Sequence, residues 1–398
     1  MSDDARFEGD ASASPGNIGG IRLGLDSMRA VLAQLGHPEQ ALRTISIAGT
    51  NGKGSTAAMV VSALRAADYR VGLFHSPSLG EDHEQIELDG RPIDAAAYRR
   101  LTDAVRRAAA DREIEISPFE TLTAVALLAF AEADVDLAVL EAGLGGARDA
   151  TNVTEPRVSA LVSVGFDHRE HLGDSLARIA TDKAGIFRPG RPAVVGRLPV
   201  EAFDAVGAIG SRIGADLDPI LDHPPWDGPL GLDGVHQRDN AAVAVRILDH
   251  LRSDGFDRID AATIARGLAT CRWPGRLEWL DGTARPILLD AAHNLDGATA
   301  LAEHLAHENL RPDLVFGAYA DKDAAGMLAT LRPRVARTVL VPLDSPRSWT
   351  PSRFAMSGDH VASDVETALA DAFGVADASP ILCAGSVFLV GAVRRFLI

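Results

Sequence analysis

Cysteine is nearly missing from this chain. Cys271 and Cys383 are the only two in 398 residues, too few for the disulfide framework that holds small secreted domains together. Long uncharged apolar runs are missing too, so neither a membrane span nor a signal peptide is expected, and a cytoplasmic location with no membrane partner follows. Basic charge is in deficit. With 39 basic against 55 acidic residues the formal charge is −16, which disfavours a surface for polyanions, so no nucleic-acid partner is expected and any phosphate site must be local. There is no internal repeat and no low-complexity array. What the chain does have is 46% hydrophobic residues over a length that fills two packed cores, and two domains are the default expectation.

The most informative stretch is Ile45-Ser46-Ile47-Ala48-Gly49-Thr50-Asn51-Gly52-Lys53-Gly54-Ser55-Thr56. A short β-rich apolar run ends there in a glycine turn carrying one lysine and two hydroxyls. Glycine permits positive φ and lets successive N–H groups approach phosphate oxygens, while a helix over Ala57 to Ala67 would aim its N-terminal dipole at the anion. Lys53 is then placed on the β- and γ-phosphates and Ser55 or Thr56 on Mg²⁺, with Thr50, Asn51, Gly52 and Gly54 lining the nucleotide. The match departs from the strict phosphate-loop pattern, because Ile47 stands at the first glycine position and Gly54 follows the lysine.

The first 17 residues lack apolar periodicity and read as a mobile tail. Leu25, Met28, Val31, Leu32 and Leu35 recur at helical spacing. Later come a helix over Leu122 to Glu132, a strand over Val135 to Leu140, a strand over Val158 to Val164 and a helix over Ser175 to Gly185. That alternation predicts an α/β domain with a doubly wound, mostly parallel sheet. A second series predicts a smaller Rossmann-like α/β domain: strand Pro286 to Leu289, helix Gly297 to His307, strand Leu314 to Gly317, helix Ala324 to Leu331, strand Thr338 to Pro342 and a final segment from Ile381. The expected division is 18–280 and 281–398, with the hinge at Trp273-Pro274-Gly275-Arg276 and the polar stretch near Gly282.

Ligands in open α/β sheets sit beyond the carboxyl ends of strands. Glu141 follows an apolar strand and precedes Gly143-Leu144-Gly145-Gly146, and Asp167-His168 follow another. A carboxylate and an imidazole with phosphate and water oxygens suit Mg²⁺ or Mn²⁺. Each alone has a bland alternative, a capping Glu141 or a packing His168. Lys183, on local sequence, reads as an ordinary solvated helix lysine.

Taken in order, these motifs resemble the folylpolyglutamate synthase and dihydrofolate synthase family of the Mur ligase superfamily. The resemblance runs from Leu23-Gly24-Leu25 to Gly385-Ser386-Val387-Phe388. It includes Ser76-Pro77, Phe119-Glu120, Asp149-Ala150-Thr151-Asn152, Asp182-Lys183-Ala184-Gly185, His236-Gln237 with Asn240, Asp290-Ala291-Ala292-His293-Asn294 and Asp321-Lys322-Asp323. It implies ATP and two Mg²⁺ sites as cofactors, with Ser55, Ser76, Glu141 and His168 as metal ligands and a carbamylated Lys183. It further implies Asn240, Arg276 and Asp290 on ATP, Phe119, Glu120 and Asp149 on the acceptor, and Lys53, Lys183 and His168 in the catalytic machinery. The small-molecule substrates implied are ATP, L-glutamate and dihydropteroate or folate, and a monomer is expected.

The chemistry implied is ATP-dependent amide formation. A carboxylate becomes an electrophile when the γ-phosphoryl group passes to it, and the amine of L-glutamate then displaces phosphate. Departures from the family pattern gather on the acceptor side: Ser27, Ala147, Ser78, Pro118 and the acidic run Gly80-Glu81-Asp82-His83-Glu84-Gln85. Losing arginines and gaining carboxylates weakens the pull on an anionic acceptor. A Mur-type ligase for a different carboxylate is therefore the alternative. A nucleotide-binding regulator without turnover and a plain phosphate-loop kinase are the readings from outside amide ligation.

Overall fold

The computed structural model describes residues 24–280, 283–375 and 379–398. The expected tail over 1–17 and the hinge residue Gly282 lie outside them. Two sheets organise the chain. The first takes β1 (Thr44–Ala48), β2 (Val71–Phe74), β3 (Ile86–Leu88), β4 (Arg91–Pro92), β5 (Leu137–Glu141), β6 (Val158–Leu161), β7 (Pro192–Val195) and β8 (Asp216–Pro219) in the order β4-β3-β2-β5-β1-β6-β7-β8. From β2 to β8 neighbouring strands are parallel, and at one edge β3 pairs antiparallel with both β2 and β4. The second takes β9 (Glu278–Leu280), β10 (Ile287–Leu289), β11 (Asp313–Phe316), β12 (Arg337–Leu340), β13 (His360–Val361) and β14 (Ile381–Ala384) in the order β13-β12-β11-β14-β10-β9, parallel except for β9. This is the α/β architecture expected, with a larger and a smaller unit.

Every residue of β1, β5 and β6 is buried, because helices cover both faces of the sheet, and such strands read as continuous rather than alternating apolar runs. Helix Lys53–Ala66 packs one face with helices Gln237–Ser253 and Ala261–Thr270, and its Met59, Val60 and Leu64 are fully enclosed. Helices Ala95–Ala110 and Pro118–Glu132 cover the other face around Phe74 and Phe130. Gly72 in β2 is required there, since a Cβ would lie 2.5 Å from the Phe130 ring. In the second unit β9 pairs with β10, so Glu278–Leu280 already belongs to that sheet, ahead of residue 281. No helix among the described residues is long and apolar enough to cross a membrane.

A buried ion pair sits at the base of the second sheet. Arg285 donates to Asp313 Oδ2 at 2.7 Å, to the Ala372 carbonyl at 2.6 Å and to the Ser379 carbonyl, while Arg337 reaches the same carboxylate at 2.5 Å. Replacing Arg285 with Met leaves those carbonyls without a donor and one buried carboxylate with a single cation. The expected cost is about 3–5 kcal/mol, read as a lower urea midpoint with an unchanged m-value.

Candidate active site

The site forms where the order of strands reverses. β1 lies between β5 and β6, the chain leaves it in opposite directions, and the crevice beyond the carboxyl ends of β2, β5, β1 and β6 collects four loops. After β1 the chain turns at Gly52, whose φ of 80° is the left-handed conformation glycine accepts, and the helix begins at Lys53 rather than at Ala57. Glycine and two hydroxyl residues are poor helix formers, so the sequence pattern hides that first turn. No side chain caps this helix. Its leading N–H groups are therefore available to an anion.

Lys53 Nζ lies 3.8 Å from Glu141 Oε1 and donates to the Thr50 carbonyl at 3.4 Å. Glu141 is the last residue of β5, and burial pushes its carboxyl above the ordinary range against the opposing pull of Lys53, His75, Arg276 and the Ser76 N–H. Gly54 allows the crowding on the other side, because a Cβ there would meet Trp273 Nε1 at 2.9 Å and Glu141 Oε2 at 3.3 Å. Ser55 Oγ accepts from Gln237 Nε2 at 3.4 Å, and Gln237 in turn accepts from Asn240 at 2.9 Å, whose amide lies against Gly52.

Lys183 ends helix Leu176–Lys183 and is not solvated. It is 4% exposed and donates to the Gly49 carbonyl at 2.9 Å, directly under the phosphate loop. Burial, reinforced by the charge of Lys53, brings its amine down to about 7. Gly146 makes this approach possible, since a Cβ would lie 2.5 Å from the Lys183 carbonyl oxygen and 2.8 Å from its Cα. Gly146→Ala must move backbone, not a side-chain tip. A displacement of about 1 Å at Lys183 is expected to lower kcat by roughly 10²-fold, measured at saturating substrates.

His168 follows β6 with φ of 50°, and burial brings its imidazole down to about 4, so it is a neutral ring over the physiological range. Beside it, Asp167 is held well below the usual carboxylate range: burial opposes this, but contact with His293 and the charges of His168 and Lys322 prevail. Lys322 Nζ is 2.5 Å from Asp167 Oδ1, His293 Nε2 is 3.7 Å from Oδ2, and Asn294 donates both to Asp167 and, at 2.9 Å, to Asn51 of the phosphate loop. The second unit thus reaches directly into the crevice of the first. Asp167 is singled out in the sequence beside His168, whereas Lys322, Asn294, Gln237 and Trp273 stand there only within longer motifs and carry no assigned role. The signal for them lay in Asp321-Lys322-Asp323 and Asp290-Ala291-Ala292-His293-Asn294, whose polar residues follow apolar strands.

Arg276 stands at the turn between the units, near enough to Glu141 and His236 for its charge to act on both. Asp290 closes that turn, accepting from the Leu277 N–H at 3.0 Å and the Ala292 N–H at 2.9 Å. Two residues that the resemblance places on the acceptor make hydrogen bonds within their own segments. Asp149 is buried and spends both oxygens on its own loop, accepting from Leu144 N–H at 2.8 Å and from Thr151 N–H and hydroxyl. Glu120 Oε2 accepts from the Ser117 N–H at 2.8 Å in a capping box, and Pro118 occupies the first helical turn where its missing N–H costs nothing. Phe119 packs its ring on Gly143, where a Cβ would overlap it. Ser78 donates to the Gly80 carbonyl, and Leu79 beyond it packs on Gly275 and Val390 of the second unit.

These donors suit a hard cation. Among the described residues no three His, Cys, Asp or Glu side chains form a closed cage. One buried carboxylate, one neutral imidazole and the hydroxyls of Ser55 and Ser76 leave most positions for water and phosphate oxygens, as Mg²⁺ prefers.

Known proteins share this fold and these domains. Residues 47–196 match the Mur ligase middle domain and residues 275–387 the Mur ligase glutamate ligase domain. The chain is 34% identical over 358 residues to the dihydrofolate synthase/folylpolyglutamate synthase of Bacillus subtilis, covering 83% of each chain. It is 34% identical to the folylpolyglutamate synthase of Lacticaseibacillus casei, covering 92% of this chain and 93% of that one. The structure of E. coli FolC in complex with DHPP and ADP superposes with a TM-score of 0.87 at 31% identity, covering 96% and 94%. A bifunctional folylpolyglutamate synthase/dihydrofolate synthase with Mn, AMPPNP and L-glutamate bound superposes with a TM-score of 0.84 at 30% identity, covering 94% of each.

Proposed function

This chain belongs to the folylpolyglutamate synthase and dihydrofolate synthase family of Mur ligases, and from that membership we propose that it joins L-glutamate to the carboxylate of dihydropteroate or a reduced folate, driven by ATP. The observation that carries the reading is the convergence of Lys53, Glu141 and Lys183 on one phosphate loop faced by the glutamate ligase domain. Lys53 and the free N–H groups of its helix balance the charge that spreads over the transferring phosphoryl group. The acceptor carboxylate becomes an acyl phosphate, the glutamate amine adds to its carbonyl carbon, and the C–O bond to phosphate breaks. The second unit, in contact through Asn294 and Lys322, keeps water from that intermediate.

Ser55, Ser76, Glu141 and His168 are the residues that would hold Mg²⁺. Bound there, the metal supplies charge neutralisation for the phosphates. Lys183 is the proposed carbamate: a neutral amine adds CO₂ and loses one proton, turning a buried amine into an anionic ligand for a second Mg²⁺. Asp149 and Glu120 are proposed to shape the acceptor pocket through the loop and helix they fix. Asn240, Arg276 and Asp290 are proposed to bound the nucleotide from the helix after Gln237 and from the turn between the units.

A different carboxylate acceptor is the second reading, favoured by the exposed Glu81 and Asp82 on the loop after Ser76. The test is ADP formation with Mg²⁺, ATP and L-glutamate plus either dihydropteroate or tetrahydrofolate, with products identified by mass. A glutamyl adduct is expected. Acceptor-independent ADP, or none from a protein that binds ATP, would turn the search to other carboxylates.

A further inference from the structure

Lysine is almost unused in this chain. There are three, against thirty-six arginines, so surface positive charge is carried by arginine throughout. All three lysines lie in the one crevice: Lys53 beside Glu141, Lys183 under Gly49, and Lys322 on Asp167. A lysine that persists where arginine serves everywhere else marks a site that needs a compact ammonium rather than a planar fork. The proposed reaction places two of them beside the phosphates and gives Lys322 only its contact with the first unit.

Its surroundings supply a role. Lys322 comes from the second unit and its side chain is 10% exposed, between Asp167 at 2.5 Å and Asp321 at 3.8 Å. Asp167 ends the loop after β6, and that loop is bonded to the phosphate loop residue by residue. The Thr50 N–H donates to the Ser163 carbonyl at 3.0 Å, Thr50 Oγ1 exchanges hydrogen bonds with Gly165, and the Asn51 N–H donates to Ser163 Oγ at 2.9 Å while that hydroxyl donates back to the Asn51 carbonyl. Asn294 adds a second tie, capping helix Leu295–His307 with its oxygen while its amide reaches Asn51 and Asp167. The chain of contacts from the second unit to the phosphate loop is continuous.

Resting on the ligase reading, we propose that Lys322 is a positioning residue: by clasping Asp167 across the crevice it holds the glutamate ligase domain and the phosphate loop in one closed arrangement. The closed arrangement commits each activated carboxylate to the amine rather than to water. No bond to substrate is asked of Lys322.

The test compares Lys322→Met, Lys322→Arg, Asp167→Asn and the double variant Lys322→Met with Asp167→Asn, each first shown to melt with wild-type cooperativity. Wild type is expected to form ADP and amide in equal amounts. Both Lys322 variants are expected to release ADP in excess and to lose roughly 10²-fold in kcat for the amide, with KM for L-glutamate unchanged. The double variant is expected to be no worse than the poorer single one, because each breaks the same contact. Equal ADP and amide in Lys322→Met or in Lys322→Arg overturns the proposal, as does a raised KM for glutamate at unchanged kcat, which would make Lys322 a direct substrate contact. Small-angle scattering of the ligand-free proteins gives a readout independent of turnover. A larger radius of gyration in Lys322→Met supports the clasp and an identical one overturns it, even if wild type shows no ligase activity and the ligase reading falls.

Discussion

Lys53→Ala is expected to abolish amide formation, by roughly 10³-fold in kcat, while the protein still folds. The side chain emerges from the first turn of a helix whose N–H groups have no side-chain cap, so it adds a cation to a fixed anion site. An alanine keeps the helix and removes that charge. A second consequence distinguishes this from loss of fold. Burial already holds the Glu141 carboxyl above its unfolded value, and Lys53 at 3.8 Å opposes the shift, so removing Lys53 raises it further. A raised carboxylate means the folded state binds more proton than the unfolded state above the unfolded value. Stability therefore falls as pH rises through that window, and falls more steeply in the variant. Melting temperatures of both proteins from pH 4 upward check it; parallel curves would show that the two side chains do not sense one another.

Much of this is legible in the sequence. The phosphate loop was readable because glycine, lysine and hydroxyl residues between an apolar strand and a helix have few other uses, and the parallel sheet because its strands are apolar on both faces. The hairpin β3–β4 was missed although Asp89-Gly90, both at positive φ, is a strong turn signal. Its flanking strands are only three and two residues long, too short for a period to show. The burial of Lys183 was opaque for a different reason. It depends on Gly146, remote in sequence, letting another backbone pass close by, and no local pattern records that. Asp149 and Glu120 show what sequence does not record: nearby N–H groups occupy both Asp149 oxygens and one Glu120 oxygen, while Glu120 Oε1 stays buried without a partner.

Lys183→Met is expected to be as damaging to activity as Lys53→Ala, and opposite in its effect on stability at low pH. Burial brings the Lys183 amine down to about 7 in the folded protein, against about 10.5 for a lysine in water. Between those values the unfolded state binds more proton, so wild-type stability rises with pH across that window and is poorest below it. Methionine has nothing to titrate. The variant's melting temperature should be flat where wild type climbs, and at pH 6 it should match or exceed wild type despite the lost bond to Gly49. Activity carries the second half of the test. Only the neutral amine adds CO₂, so wild-type enzyme equilibrated with ¹³C-bicarbonate should gain a carbamate resonance above pH 7 and lose both resonance and turnover when freed of CO₂ at pH 6. Full activity in Lys183→Met, or a CO₂-independent wild type, would remove the carbamate from the mechanism.

Having only three lysines, all in one crevice, also fixes how the protein meets chemical reagents. Acylating esters and reductive methylation find few amines on its surface, so a reagent that modifies hundreds of sites on an ordinary proteome reports here mainly on the crevice. Lys183, whose amine burial brings down to about 7, offers a substantial neutral fraction to any reagent small enough to enter. A lysine-specific protease meets three bonds in the whole chain, and the one after Lys322 lies at the contact of the two domains, so cleavage there reports how often they part.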